Sequence, residues 1–249
     1  MAHLALAERD LGPTEAVIFD KDGTLCHSQS YLLELAQARL SHALALTGGP
    51  QRLRPLLERI SGIRDGHLDP AGATAVASRH DNMIAIASAL CSEGCSWHQG
   101  RLWAGQALAA ADAELAPRKW QRTPPTAGVA PLLRRLRSRG IRIAVLSNDL
   151  EASLEAFLNG HGLRSLVDVV RGSDAPPHKP DPKAALLLCR LLGCRPEATG
   201  LVGDAADDLQ VAADAGLAWS LAYTGAWQPA PALSGSHGHL NDWSLLVAR

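Results

Sequence analysis

No sign of charge dominates this chain. Its 24 lysines and arginines stand against 25 aspartates and glutamates, for a net charge of −1. The electrostatic footprint that a nucleic acid or an anionic membrane would require is therefore missing. The one dense basic run, Arg134-Arg135-Leu136-Arg137-Ser138-Arg139, lies on a helical pattern and reads as a solvated face. Long apolar runs are missing too: nothing approaches the roughly 18 residues of a membrane span. The N-terminus reaches Glu8, Arg9 and Asp10 soon after a short Ala/Leu run, which is not the layout of a signal peptide. Five cysteines (Cys26, Cys91, Cys95, Cys189, Cys194) form an odd set with no framework spacing, as expected of reduced thiols in a cytoplasm. Cys91, Cys95 and His98 suggest zinc ligands, but no fourth ligand is evident and the segment reads as helix, so buried or inert thiols are expected. There is no internal repeat and no low-complexity tract, and Ser234 to His239 reads as a surface loop. A hydrophobic fraction of 47% with 20% charged residues is that of a soluble globular protein long enough to bury a substantial core.

The most informative feature present is Val17-Ile18-Phe19-Asp20-Lys21-Asp22-Gly23-Thr24-Leu25. It reads as a short buried strand that breaks at Gly23. Ending a strand on Asp-x-Asp sets two carboxylates at its carboxyl end, where open α/β sheets bind ligands. Like charges buried there are costly unless a cation neutralises them. Oxygen-only donors call for a hard cation such as Mg²⁺.

Apolar residues then recur at helical spacing from about Ser28 to Ala116, with no convincing strand. Helices are expected over Tyr31 to Leu46, Arg54 to Ile60, Ala73 to Leu90 and Gln99 to Leu115, and a linker over Pro117 to Gly128. Beyond it strands and helices alternate. Helices are expected at Val129 to Arg139, Leu150 to Leu158, Pro182 to Leu192 and Leu209 to Ala215. Strands are expected at Ile141 to Leu146, Leu166 to Val170, Thr199 to Val202 and Leu217 to Leu221. Such alternation implies an α/β fold, a Rossmann-like parallel sheet with helices on both faces. The expected division is a catalytic core of residues 1–25 and 121–249, with an all-helical cap, residues 26–120, inserted after the first strand.

Three further motifs fall at expected strand ends or loops. Ser147-Asn148-Asp149 offers a hydroxyl and backbone N–H groups to an anion, although alone it reads equally as a helix cap. Pro177-His178-Lys179-Pro180-Asp181-Pro182 restrains one lysine between prolines. Gly203-Asp204-Ala205-Ala206-Asp207-Asp208 is a second acidic strand end, able to bring Asp204 and Asp208 to a metal held by Asp20 or to cap the next helix.

These four motifs, in this order, resemble the haloacid dehalogenase superfamily, specifically its phosphatase branch. The helical insert resembles the mobile cap of phosphoglycolate-phosphatase-like and β-phosphoglucomutase-like members. The resemblance implies that Asp20 is the nucleophile, forming an aspartyl-phosphate, and that Asp22 serves both half-reactions as general acid and base. It implies Mg²⁺ held by Asp20, Asp204 and the backbone carbonyl of Asp22, with Asp208 assisting directly or through water. Ser147 and Lys179 would bind phosphoryl oxygens, Asn148 would join them at the substrate, and Gly23 and Thr24 would position the loop, with Thr24 orienting a neighbouring carboxylate. Lys21 departs from the family's usual apolar or small residue; on a strand it would point away from both carboxylates. The expected activity is Mg²⁺-dependent hydrolysis of a small phosphorylated metabolite, phosphoglycolate-like or a sugar phosphate. The alternatives are a phosphosugar mutase of the β-phosphoglucomutase type, which shares every core motif, or a phosphate-sensing or scaffold protein without turnover. In the cap, Arg64 is the candidate substrate contact, with His67, Arg79 and His80 behind it. The sequence leaves the oligomeric state open.

Overall fold

A computed structural model of the chain describes residues 2–49 and 52–249. They fall into two compact units, one of residues up to Ser28 together with Thr123–Arg249, the other Gln29–Arg122.

The larger unit is built on a six-stranded sheet in the order Gly238–Leu240, Trp219–Tyr223, Thr199–Gly203, Ala16–Phe19, Arg142–Leu146 and Val169–Arg171, with every pairing parallel. Helices Val129–Ser138, Glu151–Gly160, Lys183–Leu192 and Ala206–Asp214 connect these strands. The four residues of Ala16–Phe19 are all fully buried, because this strand is central and covered on both faces. That is why it reads as a continuous apolar run rather than an alternating one. On one face Ala16 and Ile18 pack with Ala144, Leu146, Leu188, Leu201 and Val211. From Ala16–Phe19 the chain builds outward on one side through Arg142–Leu146, then crosses to Thr199–Gly203 on the other. The carboxyl ends of these three neighbours thus flank the point where strand order reverses, the crevice in which such sheets take ligands.

The two-faced parallel sheet agrees with the sequence expectation, but several elements differ. Two strands precede Ala16–Phe19: Ala2–Leu6 and Arg9–Thr14 form a hairpin, and Leu246–Ala248 pairs with Ala2–Leu6 to complete a three-stranded antiparallel sheet. The insert thus follows the first strand of the parallel sheet, but the third of the chain. The expected loop Ser234 to His239 runs into the edge strand Gly238–Leu240, and His237 Nδ1 accepts a hydrogen bond from the Ser220 N–H. The strand expected over Leu166 to Val170 begins as a 3₁₀ turn, Arg164–Leu166, and is a strand only at Val169–Arg171.

The smaller unit has helices Gln29–Leu46, Leu53–Ser61, Ala73–Val76, Arg79–Ser92 and Trp97–Leu115, which bury Leu32, Ala36, Leu40, Leu57, Ile86, Ala104, Leu108 and Ala111. It is not all-helical. Ile63–Arg64 and His67–Leu68 pair antiparallel around Asp65-Gly66, both at positive φ (49° and 77°), the turn that Asp-Gly favours in two-residue hairpins. The helix expected over Ala73 to Leu90 is broken because Ser78 is extended and caps the second piece, its Oγ accepting from the Asp81 N–H at 3.1 Å. Part of the expected linker is ordered as a 3₁₀ turn, Ala116–Arg118, and a short helix, Lys119–Arg122.

Candidate active site

Asp20 directly follows the central strand and remains tied to the sheet, its N–H donating to the Val202 carbonyl at 2.9 Å. Asp204 follows the neighbouring strand Thr199–Gly203. Asp208 lies one turn into helix Ala206–Asp214, where Oδ2 accepts from the Ala205 N–H at 3.2 Å. It therefore caps the helix and faces the site at once. Gly203 is what permits this, since a Cβ there would lie 2.3 Å from the Asp208 carboxyl carbon.

These three carboxylates are buried, with one oxygen of each lying within 4.8 Å of the others. Lys179 sits among them, Nζ donating to Asp20 Oδ1 at 2.5 Å and to Asp208 Oδ1 at 2.8 Å. Asp204 is held from two other directions: Thr24 Oγ1 donates to its Oδ1 at 2.9 Å, and the Trp227 indole N–H donates to its Oδ2 at 2.6 Å. Thr24 therefore orients a carboxylate far away in sequence. Gly23 has φ +80°, and a Cβ there would lie 2.1 Å from Asp204 Oδ2 and 2.3 Å from Trp227 Nε1. Only glycine lets the turn run this close to the acidic cluster.

Burial pushes the Asp20 carboxyl up to about 6; Lys179 pulls it down and Asp208 raises it further. Asp204 is raised well above the carboxylate range by burial and then by Asp20 and Asp208, while the bonds from Trp227 and Thr24 act in the opposite direction. Burial works against the Lys179 charge, but Asp20 and Asp208 outweigh it and raise that ammonium above the usual lysine range. Ionised, the three carboxylates exceed the one lysine by two charges, and the donor set is oxygen only. That is the demand a divalent hard cation meets, and the cluster fits Mg²⁺. Cys91, Cys95 and His98 form no such group; among the described residues Asp20, Asp204 and Asp208 are the one set of three.

The Asp22 side chain is not in that cluster. Both its oxygens accept from Lys21 Nζ, at 2.7 and 2.8 Å, and Lys21 Nζ also donates to Asp149 Oδ2 at 3.0 Å. The expectation that Lys21 points away from both carboxylates is therefore incorrect. Strand alternation applies only to extended backbone, and the strand ends at Phe19. From there the chain turns, the Thr24 and Cys26 N–H groups both donating to the Lys21 carbonyl, and the flexible lysine stem reaches back to Asp22.

Ser147 is buried at the end of the adjacent strand Arg142–Leu146, its N–H donating to the Arg171 carbonyl and its Oγ accepting from the Asp149 N–H at 3.2 Å. Asn148 follows it on the same turn and is partly exposed. The cap candidates lie in the other unit: Arg64 is exposed on the hairpin 3.5 Å from Asp69, and Arg79 Nε donates to Asp112 Oδ2 at 2.7 Å. Trp227 was missed by sequence reasoning, because an isolated tryptophan in the loop between Trp219–Tyr223 and Gly238–Leu240 carries no spacing signal.

The crevice, buried acids and lysine define a hydrolase built on this sheet, and the chain belongs to the haloacid dehalogenase-like hydrolases, whose family model matches residues 14–216. Over 219 residues it is 29% identical to the phosphoglycolate phosphatase of Rhodospirillum rubrum, covering 82% of this chain and 77% of that one. A shorter match, 39% over 92 residues, links it to probable phosphatase IndB of Dickeya dadantii; it spans 36% of this chain and 40% of that protein. Among solved structures, a predicted phosphoglycolate phosphatase from Haemophilus somnus superposes with a TM-score of 0.61 at 22% identity, covering 85% of each chain. At that identity the likeness speaks for the fold alone. No helix among the described residues is long and apolar enough to cross a membrane.

Proposed function

We propose that this protein is a Mg²⁺-dependent phosphomonoesterase acting on a small phosphorylated metabolite through an aspartyl-phosphate on Asp20, with phosphoglycolate the first substrate to test. The observation that carries this reading is the buried Asp20, which shares Lys179 with Asp208 and lies beside Asp204. A carboxylate at this strand end needs no base to become a nucleophile once its charge is stabilised. Lys179 sits where it can pass from Asp20 to the oxygens of an incoming phosphoryl group, and Ser147 with the backbone of its turn offers further donors. Asp20, Asp204 and Asp208, with the Asp22 carbonyl, would hold Mg²⁺, which when bound removes the repulsion between the anionic nucleophile and phosphate. Asp22 would protonate the departing alcohol, then take a proton from the water that cleaves the aspartyl-phosphate. The cap would set which substrate is accepted, Arg64 being the residue to examine first.

The test combines Asp20→Asn with a screen of phosphometabolites in Mg²⁺. Wild type should release phosphate and be labelled by beryllium fluoride, and Asp20→Asn should do neither while melting as a folded protein. Residual turnover above a few per cent in Asp20→Asn would remove the covalent route. Isomerisation of a sugar phosphate without phosphate release would point to the mutase, and binding without either reaction would point to a sensor.

A further inference from the structure

The phosphatase reading assigns no work to Lys21, although its side chain, like that of Lys179, is buried. Its side chain is fully buried, with the ammonium enclosed by Asp22, Asp149 and the face of Phe157, whose ring centroid is 5.7 Å away. Taking a lysine charge out of water costs several kcal/mol, and for stability alone an apolar residue of similar volume commonly does as well or better. Here the charge is spent on two carboxylates from two different loops. Asp22 lies on the turn after the central strand, and Asp149 on the turn after its neighbour, just beyond Ser147. The lysine thus joins the turn carrying the candidate acid–base group to the turn carrying a candidate phosphate donor.

The bridge constrains Asp22 closely. Two bonds from one ammonium, at 2.7 and 2.8 Å, fix the plane of the carboxylate as well as its position. The Cys26 thiol, itself fully buried, lies 3.5 Å from Oδ1 on another side. Asp149, at 3.0 Å, keeps the ammonium from following Asp22 if that side chain rotates. An ionised carboxylate has about four acceptor sites and Lys21 takes two of them, so the ammonium by itself does not block proton exchange at Asp22. The Asp22 side chain is 15% exposed, whereas Lys21 is at 1%, so the aspartate opens toward solvent and the lysine backs it from within.

We propose that Lys21, anchored on Asp149, is a positioning residue that holds the Asp22 carboxylate where it can donate and accept the protons of hydrolysis. The proposal rests on the phosphatase reading, in which Asp22 is the acid–base group. Misplacing a general acid costs most when the leaving group needs its proton. An alkyl phosphate departs as an alcohol only with a proton supplied, whereas p-nitrophenyl phosphate releases a stable phenolate without one.

The experiment is a single-turnover measurement of alcohol release by the full-length protein in Mg²⁺, for one alkyl phosphate and for p-nitrophenyl phosphate. Wild type, Lys21→Met and Asp22→Asn are compared, Asp22→Asn setting the ceiling. Since positioned acid–base groups contribute about 10²–10⁴-fold, Lys21→Met should slow alkyl release by about 30-fold or more. Nitrophenolate release should slow by no more than about threefold, followed by slow turnover as the aspartyl-phosphate accumulates. Equal losses on both substrates, no loss on either, or faster alkyl release would overturn the positioning role while leaving the phosphatase reading intact. If Lys21→Met does not fold, Asp149→Asn decides: it removes the charge of the anchor and should show the same selectivity for the alkyl ester, in weaker form, and its absence would overturn the role. A wild-type protein that releases phosphate from neither ester would remove the phosphatase reading and the role of Lys21 with it.

Discussion

Replacing Gly23 with alanine isolates the cost of crowding the acidic cluster, provided it is read against Gly140→Ala. Both glycines have positive φ, +80° and +74°, so both substitutions force an L side chain into the left-handed region, at about 1–2 kcal/mol. Nothing lies within 4 Å of a Cβ at Gly140, whereas a Cβ at Gly23 would fall 2.1 Å from Asp204 Oδ2 and 2.3 Å from Trp227 Nε1. Neither neighbour is free to move, because they are joined by a buried 2.6 Å hydrogen bond. Overpacking of this kind costs about 1–3 kcal/mol, and leaving a buried hydrogen-bonding group unsatisfied adds about 1–3 kcal/mol. Gly23→Ala should therefore be destabilised by about 2–6 kcal/mol more than Gly140→Ala. For a chain of this size that corresponds to an additional fall in Tm on the order of 10 °C. Thermal and urea melts of the two variants beside wild type measure the difference. Melting of Gly23→Ala within about 2 °C of Gly140→Ala would refute the close approach of this turn to Asp204, given the slope of roughly 2–4 °C per kcal/mol.

The indole bond to Asp204 makes its own prediction: Trp227→Phe keeps the ring but removes the donor, and should weaken Mg²⁺ binding by about 10–100-fold in a calorimetric titration. Because the folded Asp20 carboxyl is raised to about 6, it holds its proton longer than an unfolded one. Its contribution to metal-free stability is present at acid pH and is lost as the pH rises through about 6. Mg²⁺ must displace that same proton, so the increase in Tm on adding Mg²⁺ should be larger at pH 8 than at pH 5; an increase independent of pH would count against these carboxylates as the ligands. Lys179→Ala should depress turnover of every phosphomonoester, whereas Arg64→Ala should raise KM or reorder the preferred substrates while sparing p-nitrophenyl phosphate; equal losses on all substrates from Arg64→Ala would send the search to Arg79 and His80.

What the sequence alone determined was whatever rests on local pattern. Val17-Ile18-Phe19 had to be apolar without alternation because the central strand has no solvent face, and the acids at strand ends were legible because a strand's end is a local event. The same reasoning could have found more. Asp65-Gly66 carries the hairpin turn, and Ser78 with Asp81 carries the helix start, each within four residues; helical periodicity on either side masked both. Other features had no local signature. Leu246–Ala248 becomes a strand only because Ala2–Leu6, at the opposite end of the chain, offers it an edge. Trp227 acquires its role only when the loop after Trp219–Tyr223 returns over Asp204. Lys21 turns back on Asp22 because the chain leaves the strand one residue before the acids begin, and because Asp149 arrives from another turn to hold the charge. Local spacing decides which residues can form a strand end or a helix. Which groups then share a buried charge depends on distances between segments remote in sequence, and those are set only when the sheet assembles.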